Sequence, residues 1–220
     1  GDNGLLSNDP NINTAGVSVK AFLKFIDFDG GGIEINLKKK MPLSSGLGSS
    51  AASTVAAVFA ANALFNYPVE KKDLLQFALL GEKVASGNPH ADNIAPSLLG
   101  GFILVRSYEP LDVVSLVYPE ELCSVVISPN LKINTKDARK LLSPSIDLKD
   151  AITQWGNVAG LVAGLSQSDY NLISRSLVDV VAEPVRYKLI DNFQEIKQSA
   201  LDSGALGCGI SGSGPSIFAL

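Results

Sequence analysis

The sequence has one histidine and two cysteines in 220 residues. Cys123 and Cys208 stand far apart with no ligand spacing. That excludes a zinc centre and a disulfide framework as organising devices, and a chain of this kind suits a reducing cytoplasm. No apolar run approaches the roughly twenty residues a membrane helix needs, and no secretory leader pattern is read. The net charge of -4 leaves no basic footprint for nucleic acid. The one basic run, Lys38-Lys39-Lys40, reads as the solvated end of a strand, or as a neighbour of a bound phosphate. Internal repeats are absent. What remains is 46% hydrophobic and 18% charged, enough for a globular chain of one or two cored domains.

Glycine is ordinary in amount but clustered. Pro42-Leu43-Ser44-Ser45-Gly46-Leu47-Gly48-Ser49-Ser50-Ala51-Ala52 lies between a strand-like run, Ile33 to Leu37, and an alanine-rich helix over Ala51 to Leu64. A glycine-serine loop feeding a helix N-terminus is an anion site, because free N–H groups and the helix dipole both favour phosphate. Gly46 and Gly48 let backbone approach a ligand, and Ser49 and Ser50 can cap the helix. Ser50 can also reach a magnesium ion on the phosphates. The lysine of a Walker loop is missing, and so is the dinucleotide spacing. A capped helix packed on a sheet would use the same residues.

The remaining periodicity reads as follows. Asn13 or Thr14 caps a helix to about Ile26. A second helix spans Lys71–Ser86, followed by a polar loop, Ser86 to Asn93. Gly100-Gly101 turns into a buried strand from Phe102, and a domain boundary falls within Tyr108–Pro119. Then come a strand over Leu122–Ser128, a short helix over Thr135–Leu142 capped by Asn134 or Thr135, and helices over Asp147–Leu165 and Tyr170–Val181. Pro184 suits the first turn of a helix reaching Ser203, and Ser216–Leu220 closes the chain as a strand. Helices and strands alternate irregularly, which makes the fold class α+β.

Three further constellations carry possible chemistry. Glu82 precedes His90, Asp92 and Asn93; its carboxylate can hold magnesium with Ser50, while His90 and Asn93 suit a polar substrate. The same side chains would serve as caps on a surface loop. Arg139 and Arg186 each follow a helix-start signal, and two guanidinium forks can clamp a carboxylate or make ordinary surface ion pairs. Ser211-Gly212-Ser213-Gly214-Pro215 suits an anion lid or a hairpin turn.

The ordered strings P-L-S-S-G-L-G-S-S-A-A (42–52), G-E-K-V-A-S-G-N-P-H-A-D-N-I-A-P (81–96), L-G-G-F (99–102), P-N-L-K-I-N-T-K-D-A-R (129–139), A-E-P-V-R (182–186) and G-I-S-G-S-G-P-S (209–216) resemble the GHMP small-molecule kinases, and within them the homoserine kinases. The first string is shared across the superfamily. The H-A-D-N-x-A-P, N-T-x-x-A-R and E-P-x-R strings point to homoserine.

The resemblance implies an N-terminal domain like the second domain of ribosomal protein S5 (1–112) and a ferredoxin-like C-terminal domain (113–220), with the site in the cleft between them. It implies Asn13 near the adenine, residues 42–52 (Pro42, Leu43, Ser44, Ser45, Gly46, Leu47, Gly48, Ser49, Ser50, Ala51, Ala52) around the ATP phosphates, and Mg2+ on Ser50 and Glu82. His90 and Asn93 would flank the L-homoserine side chain, with Asn93 positioning the hydroxyl. Thr135, Arg139 and Arg186 would fix the amino-acid end, and Gly212 would close over the site. It further implies a cytoplasmic homodimer that makes O-phospho-L-homoserine on the route to threonine. A mevalonate-type kinase, or a non-catalytic nucleotide-binding fragment, would keep residues 42–52. The family's early P-x-S-x-A-N motif has no counterpart here, the chain starts at Gly1, and family members continue past Leu220. The expectation is therefore the middle of a longer protein.

Overall fold

A computed structural model describes every residue except 1, 3, 88, 89 and 134, and describes backbone alone for 85, 86, 135 and 136. The Asn134 cap and the Asn88-Pro89 part of the polar loop therefore lie outside the described residues. The chain divides into two compact units. The first comprises Gly1–Leu43 and Gly48–Ser115; the second comprises Ser44–Leu47 and Leu116–Leu220.

The first unit is built on helices α1 (Thr14–Phe25), α2 (Ser49–Leu64), α3 (Leu75–Ser86, entered by a 3-10 turn at Lys71–Leu74) and α4 (Ala91–Leu99). Strands β1 (Phe102–Tyr108) and β2 (Leu111–Leu116) follow as a two-stranded sheet. Asn13 caps α1 by accepting the Ala15 N–H at 3.0 Å. The core is Phe22, Val58, Leu74, Phe77 and Ile94, with Phe22 and Phe77 edge to face at 5.7 Å. Each such side chain contributes about 1.5–3 kcal/mol on burial. Asn62 is buried on α2 and stays satisfied by pairing both ways with the Val69 backbone, at 2.9 and 3.2 Å.

The second unit carries β3 (Val125–Ile127), α5 (Thr135–Lys140), α6 (Leu148–Gln167), α7 (Tyr170–Ser176), α8 (Glu183–Arg186), α9 (Phe193–Asp202), β4 (Cys208–Ile210) and β5 (Ile217–Ala219). Its sheet is antiparallel in the order β3-β5-β4, with Val125, Ala219 and Cys208 abreast and Ile127, Ile217 and Ile210 abreast. Its core gathers Ile133, Ala138, Ile190, Phe193, Cys208 and Ile217.

Several expected elements differ. Ile33–Leu37 is not a strand: among the described residues it has no ladder partner, and Ile35 and Leu37 face solvent. Apolar alternation alone cannot make a strand without a neighbour to accept its hydrogen bonds. The strand from Phe102 is half-buried rather than buried. The polar loop closes early, because α4 begins at Ala91 with His90 in the N-cap position, so Asn93 stands in its first turn. The helix from Tyr170 stops at Ser176. The run expected from Pro184 to Ser203 breaks, with Ile190 extended and Asn192 left-handed (φ 59°). The break falls between Ile190 and Phe193, both of which are buried in the core of the second unit.

Candidate active site

In the first unit, α2 begins at a glycine rather than at a side-chain cap. Gly48 is the N-cap in the left-handed region (φ 72°), and its carbonyl accepts the first intrahelical bond, from Ala52 N at 2.9 Å. The N–H groups of Ser49, Ser50 and Ala51 precede that bond, so they are the donors a helix N-terminus offers an anion. The two serines expected to cap are engaged elsewhere. Ser49 Oγ donates to the Met41 carbonyl at 3.1 Å, and Ser50 Oγ donates to Glu82 Oε2 at 2.9 Å. Ala51 is fully buried and belongs to the core of the first unit.

Ser50 and Glu82 are 32 residues apart in sequence, and α2 against α3 brings them together. Glu82 is buried. A hydroxyl and a carboxylate form a hard oxygen pair that suits Mg2+, which keeps several of its positions for phosphate oxygens and water. Among the described residues no cluster of three or more His, Cys, Asp or Glu could hold a metal by itself. The donor set thus fits an ion brought in on a nucleotide rather than a resident protein cage.

Asn93 packs against the same loop: a Cβ on Gly48 would lie 3.0 Å from Asn93 Oδ1 and 3.2 Å from its Cβ. His90 is half-buried, with Nδ1 3.9 Å from Asp92 Oδ1, too long for a hydrogen bond. Asn13 engages backbone on both sides, capping α1 through Oδ1 and donating one Nδ2 hydrogen to the Ser7 carbonyl at 2.7 Å.

Lys39 was not singled out by sequence reasoning, which offered only a solvated strand end or a phosphate neighbour for its whole run. It is half-buried, and its Nζ donates to the Ser49 carbonyl and to Ser53 Oγ. Burial pushes its ammonium below the usual lysine value, while the negative charges of Asp2 and Glu82 act the other way. The cation therefore stands at the start of α2 within the field of Glu82. Three consecutive lysines do not say which one turns inward.

In the second unit, Ser44–Leu47 form the middle of the glycine-serine loop. Ser211 Oγ donates to the Gly46 carbonyl at 3.0 Å, and Ser216 N donates to the Ser45 carbonyl at 3.0 Å. Gly46 is left-handed (φ 80°), and a Cβ there would lie 2.4 Å from the Ser211 carbonyl oxygen. The turn at Gly212 thus buttresses the loop from behind.

Arg139 on α5 and Arg186 on α8 are both half-buried. Arg186 donates from Nε to the Ala138 carbonyl at 3.4 Å and from Nη1 to the Gly212 carbonyl at 3.2 Å. Burial lowers its pKa most, Asp179 opposes that, and the neighbouring charge of Arg139 lowers it further. Two guanidinium groups close enough to repel, with no ion-pair partner on either among the described residues, form a cationic pair suited to an anion. Thr135 lies in α5, and its side chain is outside the described set.

Comparison with known proteins gives a consistent result. The family model described as GHMP kinases N terminal domain matches residues 13–101, and the one described as GHMP kinases C terminal matches residues 161–220. A homoserine kinase of Chlorobaculum tepidum is 53% identical over 225 residues, covering 100% of this chain and 69% of that protein. One from Methanococcus maripaludis is 42% identical, covering 94% of this chain and 68% of its own length. The crystal structure of homoserine kinase from Cytophaga hutchinsonii superposes with a TM-score of 0.97 at 56% identity, covering 100% of this chain and 69% of that one.

Proposed function

The chain belongs to the GHMP kinase family and within it to the homoserine kinases, and we propose from this the roles its residues play in moving the γ-phosphoryl group of ATP to the side-chain hydroxyl of L-homoserine. The product is O-phospho-L-homoserine, on the route to threonine. The observation that carries the reading of the substrate is the placement of Arg186 against the Ala138 carbonyl, next in sequence to Arg139, so that two guanidinium charges stand near one another where a free amino-acid carboxylate would neutralise them.

The N–H groups at the start of α2, together with the loop backbone over residues 42–52, bind the ATP phosphates, and Lys39 adds positive charge beside them. Asn13 stands near the adenine. Ser50 and Glu82 would hold Mg2+, which would supply charge neutralisation on the phosphates. Arg139, Arg186 and Thr135 hold the amino-acid end, with Gly212 closing over it. His90 flanks the substrate side chain.

Asn93 positions the hydroxyl. A carboxamide is no base, so the hydroxyl proton leaves late, to a phosphate oxygen or to water. A loose phosphoryl transfer needs alignment more than early deprotonation, so this order is consistent with the chemistry. The S5-like domain corresponds to residues 1–112 and the ferredoxin-like domain to 113–220.

The reading is tested by ADP release from Mg·ATP with L-homoserine, R-mevalonate or L-serine, and again with magnesium chelated. Homoserine alone should drive turnover, and only with magnesium. Turnover with mevalonate instead, or none with homoserine, removes the reading.

We infer a homodimer from α6. Only Lys149 and Asp150 are charged among its 20 residues, and Leu148, Ile152 and Trp155 leave one face 67%, 57% and 64% exposed. Two such faces buried together remove on the order of 1,000 Å2, near the minimum for a stable interface. Light scattering should give twice the chain mass, and Trp155→Glu should halve it; a monomeric wild type rejects the interface. Among the described residues no helix is long and apolar enough to cross a membrane. Cys123 and Cys208 are both free thiols, which fits a cytoplasmic location that cell fractionation would check.

A further inference from the structure

The E-P-x-R string contains a carboxylate that the reaction does not use. Glu183 opens α8, three residues before Arg186. Four residues cannot hold a helical shape unaided, because a first turn fixes more dihedral angles than its hydrogen bonds repay. The rigidity of α8 has to come from its surroundings, and two carboxylates supply it.

Asp179 gathers the backbone ahead of the turn. Its Oδ1 accepts the Val181 and Ala182 N–H groups at 2.8 Å each, and its Oδ2 accepts that of Glu183 at 3.1 Å. Glu183 Oε1 accepts from Lys197 Nζ on α9 at 2.5 Å, with the two side chains only 14% and 21% exposed. The surroundings are largely apolar: Lys197 Nζ lies 5.8 Å from the Phe193 ring centre. A Cβ on neighbouring Gly209 would stand 3.2 Å from the Phe218 ring and 3.5 Å from Glu183 Oε2. A pair this buried adds little net stability over an apolar replacement, but it holds two elements in one geometry.

We propose that the Glu183–Lys197 ion pair is a positioning device that fixes α8 on α9, so that the Arg186 guanidinium meets the substrate carboxylate in register. The proposal rests on Arg186 being a carboxylate ligand. A bidentate fork demands planar alignment, so a small tilt of α8 weakens it without touching the nucleotide loop.

The test is steady-state kinetics of Lys197→Met and Lys197→Arg against both substrates. Lys197→Met should raise the KM for homoserine about tenfold, with the KM for ATP unchanged and kcat within about threefold of wild type. Lys197→Arg keeps the charge and should restore the homoserine KM. If Lys197→Met does not fold, Glu183→Gln keeps an acceptor and should shift the same KM in the same direction. A folded Lys197→Met with lowered Tm and wild-type homoserine KM would overturn the proposal, as would equal losses for both substrates. A wild type with no homoserine saturation would instead remove the underlying reading of function.

Discussion

Replacing Arg186 by alanine should raise the KM for L-homoserine by roughly 30- to 150-fold, equivalent to ~2–3 kcal/mol, the range for a charge-assisted hydrogen bond to a partly buried anion. The cost has two parts. The fork that anchors the carboxylate disappears, and Arg139 is left to hold it alone. One compensation works the other way, because the repulsion between the two arginines in the empty protein also disappears. Arg186→Lys should recover only part of the loss, since one ammonium cannot reproduce bonds to both carboxylate oxygens while also reaching the Ala138 and Gly212 carbonyls. The KM for ATP should move little. Initial rates across a homoserine series at saturating ATP measure all of this, and an unchanged homoserine KM in Arg186→Ala would falsify the assignment of the carboxylate site.

Gly46→Ala should abolish nucleotide binding, with the affinity for ADP falling at least about a hundredfold, ~2.7 kcal/mol or more. The backbone alone accounts for roughly 1–2 kcal/mol, because an L side chain at φ 80° meets its own carbonyl. The larger effect is steric. The new methyl would lie 2.4 Å from the Ser211 oxygen and 2.7 Å from the Gly214 oxygen, and both are backbone atoms that no rotamer change can move. The loop would have to leave the turn behind it, losing the Ser211 and Ser216 bonds that aim it. Gly31→Ala is the control, since nothing stands within 4 Å of that position. It should bind ADP as wild type does. Calorimetric titration of the two variants separates them, and tight ADP binding by Gly46→Ala would show that the loop does not depend on its buttress.

What could be read in the sequence was whatever local chemistry decides. Asn13 ahead of Thr14 starts a helix because a short polar side chain can cap the N–H two residues on, and it does so here. Gly46 and Gly48 read only as permitting close backbone approach; both prove to be left-handed, with Gly48 as the N-cap of α2. Ser50 and Glu82 were paired on chemical grounds, and the packing of α2 on α3 puts them in contact. Contacts set by distant packing were not legible. Lys39 looks like Lys38 and Lys40 until α2 provides the Ser49 carbonyl and Ser53 hydroxyl. The helix drawn through Pro184 to Ser203 has good local propensity, but the backbone leaves helical geometry at Ile190 and Asn192, which no local pattern announces. Ile33–Leu37 has the right alternation but no partner strand, and pairing is not a local property. Gly212 read as a lid or a hairpin turn, and nothing local announced that its carbonyl accepts from Arg186 or that the neighbouring Ser211 hydroxyl holds the Gly46 carbonyl.

The two units also bear on how this protein can be taken apart. The second is not a continuous stretch of chain, since it includes four residues, Ser44–Leu47, inserted in the middle of the first. A gene fragment beginning at Leu116 would therefore encode a body with a missing piece. The Ser211 hydroxyl and Ser216 amide would have lost the carbonyls they bind, and Gly214 would border a gap where Gly46 belongs. Recombination that exchanges sequence at the boundary would face the same difficulty, joining each new second unit to an old inserted loop. The short insertion at Ser44–Leu47, part of the loop we propose for phosphate, thus keeps the halves from being exchanged as contiguous modules, and a lineage could alter Arg139 and Arg186 freely only while leaving that insertion matched to the turn behind it.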